Sequence, residues 1–339
     1  MIRKLRSTTK KLATANAELA AVKEEEVDVV LEPAKKRVRI NEKPTIHEIS
    51  IVKKETKEVR IENGPLPELS DEFLEKHVPE FQVACKKILG VDPTLIRYVL
   101  IKDFPLFLKS RPHVDDLHDK FTRLASAIIS QQLSNSAARS IRERFVTLYD
   151  GKFPDHKTVK KDMDDPEKKE VIIKCGLSKK KGEYLISLAN YFNDNEERIK
   201  VLFKDEDNDQ EIMDDLVTNI KGIGPWSAKM FLMTGLYRMD IFAPDDVGIA
   251  RGCANYLSTR PEILEKVMRN RGTIKKSKIK HKKFNWKVYD EDILDTLSSF
   301  FSPYRTVFSF LMWRMASTDI DAIIKTETDF TSTKTSVNE

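Results

Sequence analysis

Apolar positions recur at close to the helical interval from Pro65 onward and show no sustained period before it. Between Asp71 and Leu89 they fall at Phe73, Leu74, Val78, Phe81, Ala84, Cys85 and Ile88, with Gly90 as a stop, and residues 93–109 read similarly. The run Phe121, Leu124, Ala125, Ile128, Ile129 is interrupted at Ser130-Gln131-Gln132-Leu133-Ser134. It resumes at Ala137, Ala138, Ile141, Phe145 and Leu148. Ser134 suits the N-cap of the second run, which predicts a sharp helix–helix bend. Further helices fit residues 179–193, 209–220, 225–236, 247–257 and 303–317, the last opening on Ser302-Pro303 as N-cap and first helical residue. Strand patterns are scarce and no repeat is evident, so the expected class is all-α.

Residues 1–64 form a tail without aromatic residues, where charge runs such as Lys23-Glu24-Glu25-Glu26 alternate with short Val and Ile pairs. Disorder is the expectation for such a composition. Two targeting readings overlap there. Arg3, Lys4, Arg6, Lys10 and Lys11 come without an acid and suit a mitochondrial presequence, whereas Pro33-Ala34-Lys35-Lys36-Arg37-Val38-Arg39 is a compact nuclear-localisation cluster. The nucleus is the preferred compartment and the mitochondrion the alternative. Beyond the tail, residues 65–120 are read as an N-terminal helical part and 121–325 as the core, with a basic insertion at about 260–290; 326–339 is a flexible C-terminal tail.

Composition narrows the function classes. No window approaches the ~18 apolar residues of a membrane helix, so no membrane partner is expected. Three widely spaced cysteines, Cys85, Cys175 and Cys253, exclude a disulfide framework and an all-cysteine metal site, and the six scattered histidines include no H-E-x-x-H pair. The formal net charge is only +5, but Lys266 to Tyr289 holds ten Lys or Arg and no acid. That concentration is the footprint of a phosphate-backbone binder, or else a solvated insertion.

The stretch from Leu216 to Ala228 carries more chemistry. An amphipathic helix ends at Gly222, and Gly224 precedes Pro225, which suits the first turn of a new helix. The glycines permit close approach of another backbone. The N–H groups of the new first turn, with the Ser227 hydroxyl, are placed to take a phosphate oxygen. A bare G-x-G is equally an ordinary helix–helix turn. Downstream, Ala243-Pro244-Asp245-Asp246-Val247 leads a loop into a helix, where an aspartate is most simply an N-cap.

Taken together, G-I-G-P-W-S-A (222–228) followed by D-I-F-A-P-D-D (240–246) resembles the signature of the helix–hairpin–helix DNA glycosylase superfamily. Within it the chain is similar to fungal 3-methyladenine DNA glycosylases, through A-S-A-I-I-S-Q-Q-L-S (125–134), K-C-G-L-S-K-K-K (174–181), the hairpin, F-A-P-D-D-V-G-I-A-R-G (242–252) and S-P-Y-R-T-V-F-S-F-L-M-W-R-M-A-S-T (302–318). The resemblance spans about residues 70–325. It implies two helical subdomains with a cleft between them, and a monofunctional enzyme that hydrolyses the N-glycosidic bond of 3-methyladenine and 7-methylguanine after base flipping. The product is an abasic site, in base excision repair.

The resemblance also implies roles. Asp246 is the catalytic carboxylate and Asp245 a cap or supporting residue. Trp226, Trp313 and Met230 line the base pocket, Met230 standing where bacterial relatives carry tyrosine. Gly222, Gly224 and Ser227 hold the DNA phosphate. Gln132 or Leu133 is the wedge that fills the gap left by the flipped base, unless the bend is a simple turn in which Gln131 bonds its own backbone. Trp226 stands where bifunctional relatives carry a nucleophilic lysine, and Lys229 lies elsewhere on the helix, so water is the expected nucleophile. Lys179-Lys180-Lys181, at a helix start that disfavours cations, is a second candidate phosphate contact. No organic cofactor or metal is required; relatives bind a monovalent cation at the hairpin carbonyls. The expected partner is double-stranded DNA with alkylated bases, bound by a monomer. Two rivals remain at this level: a non-catalytic DNA-structure-binding protein of the same fold, and a glycosylase/lyase acting on oxidised bases.

Overall fold

The structure, a computed structural model, describes residues 68–111, 116–280 and 284–318. The tail 1–64 with both targeting clusters, the tail 326–339 and Lys282-Lys283 of the basic tract lie outside the described residues. Among the described residues the fold is all-α, with no strand and one isolated antiparallel bridge, His77 to Leu108. No described helix is long and apolar enough to cross a membrane.

The first predicted helix is two, α1 (Asp71–Lys76) and α2 (Pro79–Val91). Pro79 has no N–H to donate and forces the preceding residue out of the helical region, so Val78 is extended. His77 fills the break and is completely buried. Its Nδ1 donates to the Phe73 carbonyl at 2.7 Å and its Nε2 accepts the Phe104 N–H at 3.1 Å. Both ring nitrogens are used only if the ring is neutral, and burial lowers its pKa in the same sense. Residues 93–109 are also not one helix. Only α3 (Ile96–Val99) is α-helical, between single 3-10 turns at Pro93–Leu95 and Pro105–Phe107, because a proline opens each turn.

The predicted bend is present between α4 (Leu117–Ser130) and α5 (Asn135–Thr147), and the Ser134 hydroxyl caps the second helix by accepting the Ala137 N–H at 3.3 Å. Two short helices follow, α6 (His156–Asp164) and α7 (Pro166–Lys174). Their starts are fixed by Asp155 and Asp165, which accept first-turn N–H groups at 2.7 and 2.9 Å. The chain continues through α8 (Lys179–Asp194), α9 (Glu196–Leu202), α10 (Asp209–Asn219), α11 (Pro225–Thr234) and α12 (Val247–Ser258). It then forms α13 (Pro261–Asn270), α14 (Glu291–Ser299) and α15 (Arg305–Met315). Helix α15 does not open on Ser302-Pro303 as the pattern suggests. That peptide is cis, and the Ser302 hydroxyl donates to Asp240 at 2.9 Å instead of capping.

The core is mainly aliphatic, with aromatic contacts among its parts. Phe81 stacks on Phe107 at 4.8 Å between ring centroids, and Phe310 of α15 meets Phe107 edge-on at 5.6 Å. Helices α12 and α15 cross closely because α12 carries glycines one turn apart. A Cβ on Gly252 would lie 2.1 Å from the Met312 carbonyl oxygen, and one on Gly248 would lie 2.6 Å from Trp313 Cδ1. The three cysteines are free and buried. Burial pushes the Cys85 thiol up to about 12 and raises those of Cys175 and Cys253.

Candidate active site

The hairpin is built by backbone-level chemistry. Helix α10 ends at Asn219, three residues before the first glycine. Gly222 has φ +86°, in the left-handed region, and a Cβ there would lie 2.2 Å from the Tyr184 ring. Gly224, with open space around it, is the N-cap of α11, and Pro225 occupies the first turn. No side chain caps that turn, so its N–H groups remain available to an anion beside Ser227.

Helix α11 also carries Trp226, and α15 carries Trp313; both reach one carboxylate. Trp226 Nε1 donates to Asp246 Oδ2 at 3.1 Å, and Trp313 Nε1 donates to Oδ1 at 2.8 Å. Asp246 Oδ1 accepts a third bond, from the Ile249 N–H at 2.8 Å, which makes Asp246 the N-cap of α12. The capping role expected for Asp245 therefore falls on Asp246. Asp245 turns the other way, with Oδ1 3.6 Å from the Lys229 ammonium. The two tryptophans differ in setting. Trp226 is 44% exposed and offers a free ring face, whereas Trp313 is 2% exposed, sealed edge-on by Phe310. Met230 is half-buried against the core.

At the bend, Gln132 is exposed with φ +57°, and Leu133 beside it is 38% exposed. Gln131 does not bond its own backbone through Nε2; that group donates to the Gly222 carbonyl at 2.8 Å. The expected phosphate contact at Lys179-Lys180-Lys181 loses its third member. Lys181 Nζ donates to the Ile129 carbonyl at 2.7 Å, completing the C-terminal end of α4, and burial lowers its pKa.

The basic tract is less free than its composition suggests. The acid-free window stops just short of Asp290-Glu291-Asp292, and the chain folds back on that triplet. Arg271 engages Asp292 at 2.8 Å, Lys275 the buried Glu291 at 2.9 Å and Lys276 Asp290 at 3.1 Å. Lys278 and Lys280 stay on the exposed side.

Residues 125–276 match the HhH-GPD superfamily of base excision DNA repair proteins. The chain belongs to this family, and the matched span contains the helix–hairpin–helix and the aspartate that opens the following helix. Within the family it is similar to the DNA-3-methyladenine glycosylase of Saccharomyces cerevisiae, 52% identical over 277 residues, which cover 81% of this chain and 94% of that protein. DNA-3-methyladenine glycosylase 1 of Schizosaccharomyces pombe is 33% identical over 155 residues, 44% of this chain and 62% of its own length. The crystal structure of the DNA-3-methyladenine glycosidase of Bacillus halodurans superposes with a TM-score of 0.50 at 25% identity, over 70% of this chain and 91% of that one.

Proposed function

We propose that this chain is a monofunctional DNA glycosylase that flips alkylated purines, 3-methyladenine and 7-methylguanine among them, out of duplex DNA and hydrolyses their N-glycosidic bonds. The observation that carries the reading is the Asp246 carboxylate, held by two indole N–H groups and a helix N–H. Departure of the base builds positive charge on the deoxyribose. A fixed anion beside C1′ stabilises that transition state without reorganising. An alkylated purine is already cationic and leaves with little acid assistance. The exposed face of Trp226 suits such a cation, at about 0.5–2 kcal/mol. The hairpin amides and Ser227 hold a backbone phosphate, and Gln132 or Leu133 enters the vacated stack.

Water is the nucleophile in this mechanism, and the product is an abasic site. The groups contacting Asp246 are two indoles and an amide, while the Lys229 amine is engaged by Asp245. The protein works as a monomer in the nucleus, with no organic cofactor; a monovalent cation at the hairpin carbonyls is an optional aid to phosphate binding.

The test is single-turnover base release from duplex DNA carrying 3-methyladenine or 7-methylguanine, with binding of an abasic-site analogue as control. Wild type releases base, and Asp246→Asn loses about 10²-fold or more while still binding. Binding without release by wild type overturns the proposal. Strand nicking without heat or alkali would replace hydrolysis by a lyase step.

A further inference from the structure

We propose that Gln131 is a positioning residue that braces the base-displacing bend against the phosphate-holding hairpin, so that the grip on the backbone sets the reach of the wedge. This rests on the glycosylase reading above. The bend between α4 and α5 has two long-range anchors. Lys181 Nζ holds the Ile129 carbonyl at its entry, and Gln131 Nε2 holds the Gly222 carbonyl across a separation of 91 residues. Both anchors refer to one face of α8. Lys181, Tyr184 and Ser187 lie three residues apart, which puts them on adjacent turns of that face. Lys181 secures the bend, the Tyr184 ring underlies Gly222, and the Ser187 hydroxyl accepts the Lys221 N–H at 3.0 Å. The bend and the hairpin therefore share a foundation, and Gln131 closes the triangle between them.

A wedge has to push against a base stack whose opening is unfavourable by a few kcal/mol. A bend held only by its flanking helices would yield to that load. Gln131 ties the backbone immediately before Gln132 to the residue whose left-handed conformation shapes the hairpin. Load on the wedge then passes into the element that holds the phosphate.

Gln131→Glu keeps the shape of the side chain but puts carboxylate oxygens where the amide donor meets the Gly222 carbonyl. Lys181→Met removes the other anchor and keeps an aliphatic stem. Each is compared with wild type by single-turnover release of 7-methylguanine from a fully paired duplex and from a bulge in which the same base is already unstacked. Melting temperature and abasic-analogue affinity are measured alongside. The expected result for Gln131→Glu is a loss of about tenfold on the paired duplex and less than about twofold on the bulge, with Lys181→Met following the same order. Equal losses on both substrates, or none on either, overturn the inference. If wild type releases base from neither DNA, it is the glycosylase reading that fails, and the brace falls with it.

Discussion

At the scale of single residues, Asp246 combines two tasks that substitution can separate. As N-cap of α12 it holds a helix start; as the anion between two indoles it is the proposed catalytic group. Asparagine caps about as well as aspartate, so Asp246→Asn keeps the fold and loses base release. Asp246→Ala loses release and also about 1 kcal/mol of stability, read as a lower urea midpoint. The tryptophans separate in the opposite way. Trp226→Phe, at a half-exposed position, leaves the melting temperature unchanged and slows release several-fold, because a ring face remains but its N–H is gone. Trp313→Phe lowers both, since it removes an N–H and buried volume together.

Glycine, proline and capping residues make some of this site legible in the sequence. Gly222, Gly224, Pro225 and Ser134 act on neighbours a few positions away, so their pattern reveals the hairpin and the bend. Asp246 stands out because it opens a helix. Its bond to Trp313, the Lys229–Asp245 pair and the Gln131–Gly222 bond join distant segments, and no periodicity encodes such pairings. The folding back of the basic tract was hidden for another reason: its acids lie just beyond the window that defines it.

At the scale of elements, the packing of α12 on α15 sets where Asp246 and Trp313 meet. Gly248 and Gly252 are one turn apart on the face toward α15, but their neighbours differ in kind. Gly252 faces the backbone at Met312, which cannot swing aside, whereas Gly248 faces the Trp313 side chain. Gly252→Ala is expected to cost about 3 kcal/mol, toward the upper end for overpacking, measured by urea denaturation. Gly248→Ala costs less stability but displaces the indole and slows base release. The helix at residues 247–257 was foreseeable from its apolar period; the shortness of the crossing follows only from what lies opposite the glycines. The divided first helix teaches a related point, since the apolar period runs on through Val78 while Pro79 breaks the hydrogen-bond ladder.

At the scale of the whole molecule, pH acts through buried imidazole. Burial lowers the pKa of His77 from the ordinary 6.5, and that of His156 likewise, against the opposing pull of Glu196. As pH falls below about 6.5 the unfolded chain takes up protons that the folded chain refuses, so the stability present at neutral pH is progressively lost. Melting temperature should therefore be lower at pH 5.5 than at pH 7.5. His77→Gln, less stable throughout, should show a shallower slope between the two. Burial raises the carboxyls of Asp209 and Asp295, an opposing contribution that is common to both proteins in the comparison.

The buried thiols bear on survival in the conditions that create damaged DNA. Electrophiles that methylate ring nitrogens of purines also attack thiolates, and the thiolate rather than the thiol is the vulnerable form. Cys85, Cys175 and Cys253 are enclosed, and their thiols hold their protons more firmly than usual. Intact-mass measurement after iodoacetamide should find the native protein unmodified and the urea-unfolded chain carrying a label on all three. By keeping its own nucleophiles out of reach, the folded protein withstands the same alkylating chemistry that makes the lesions proposed as its substrates.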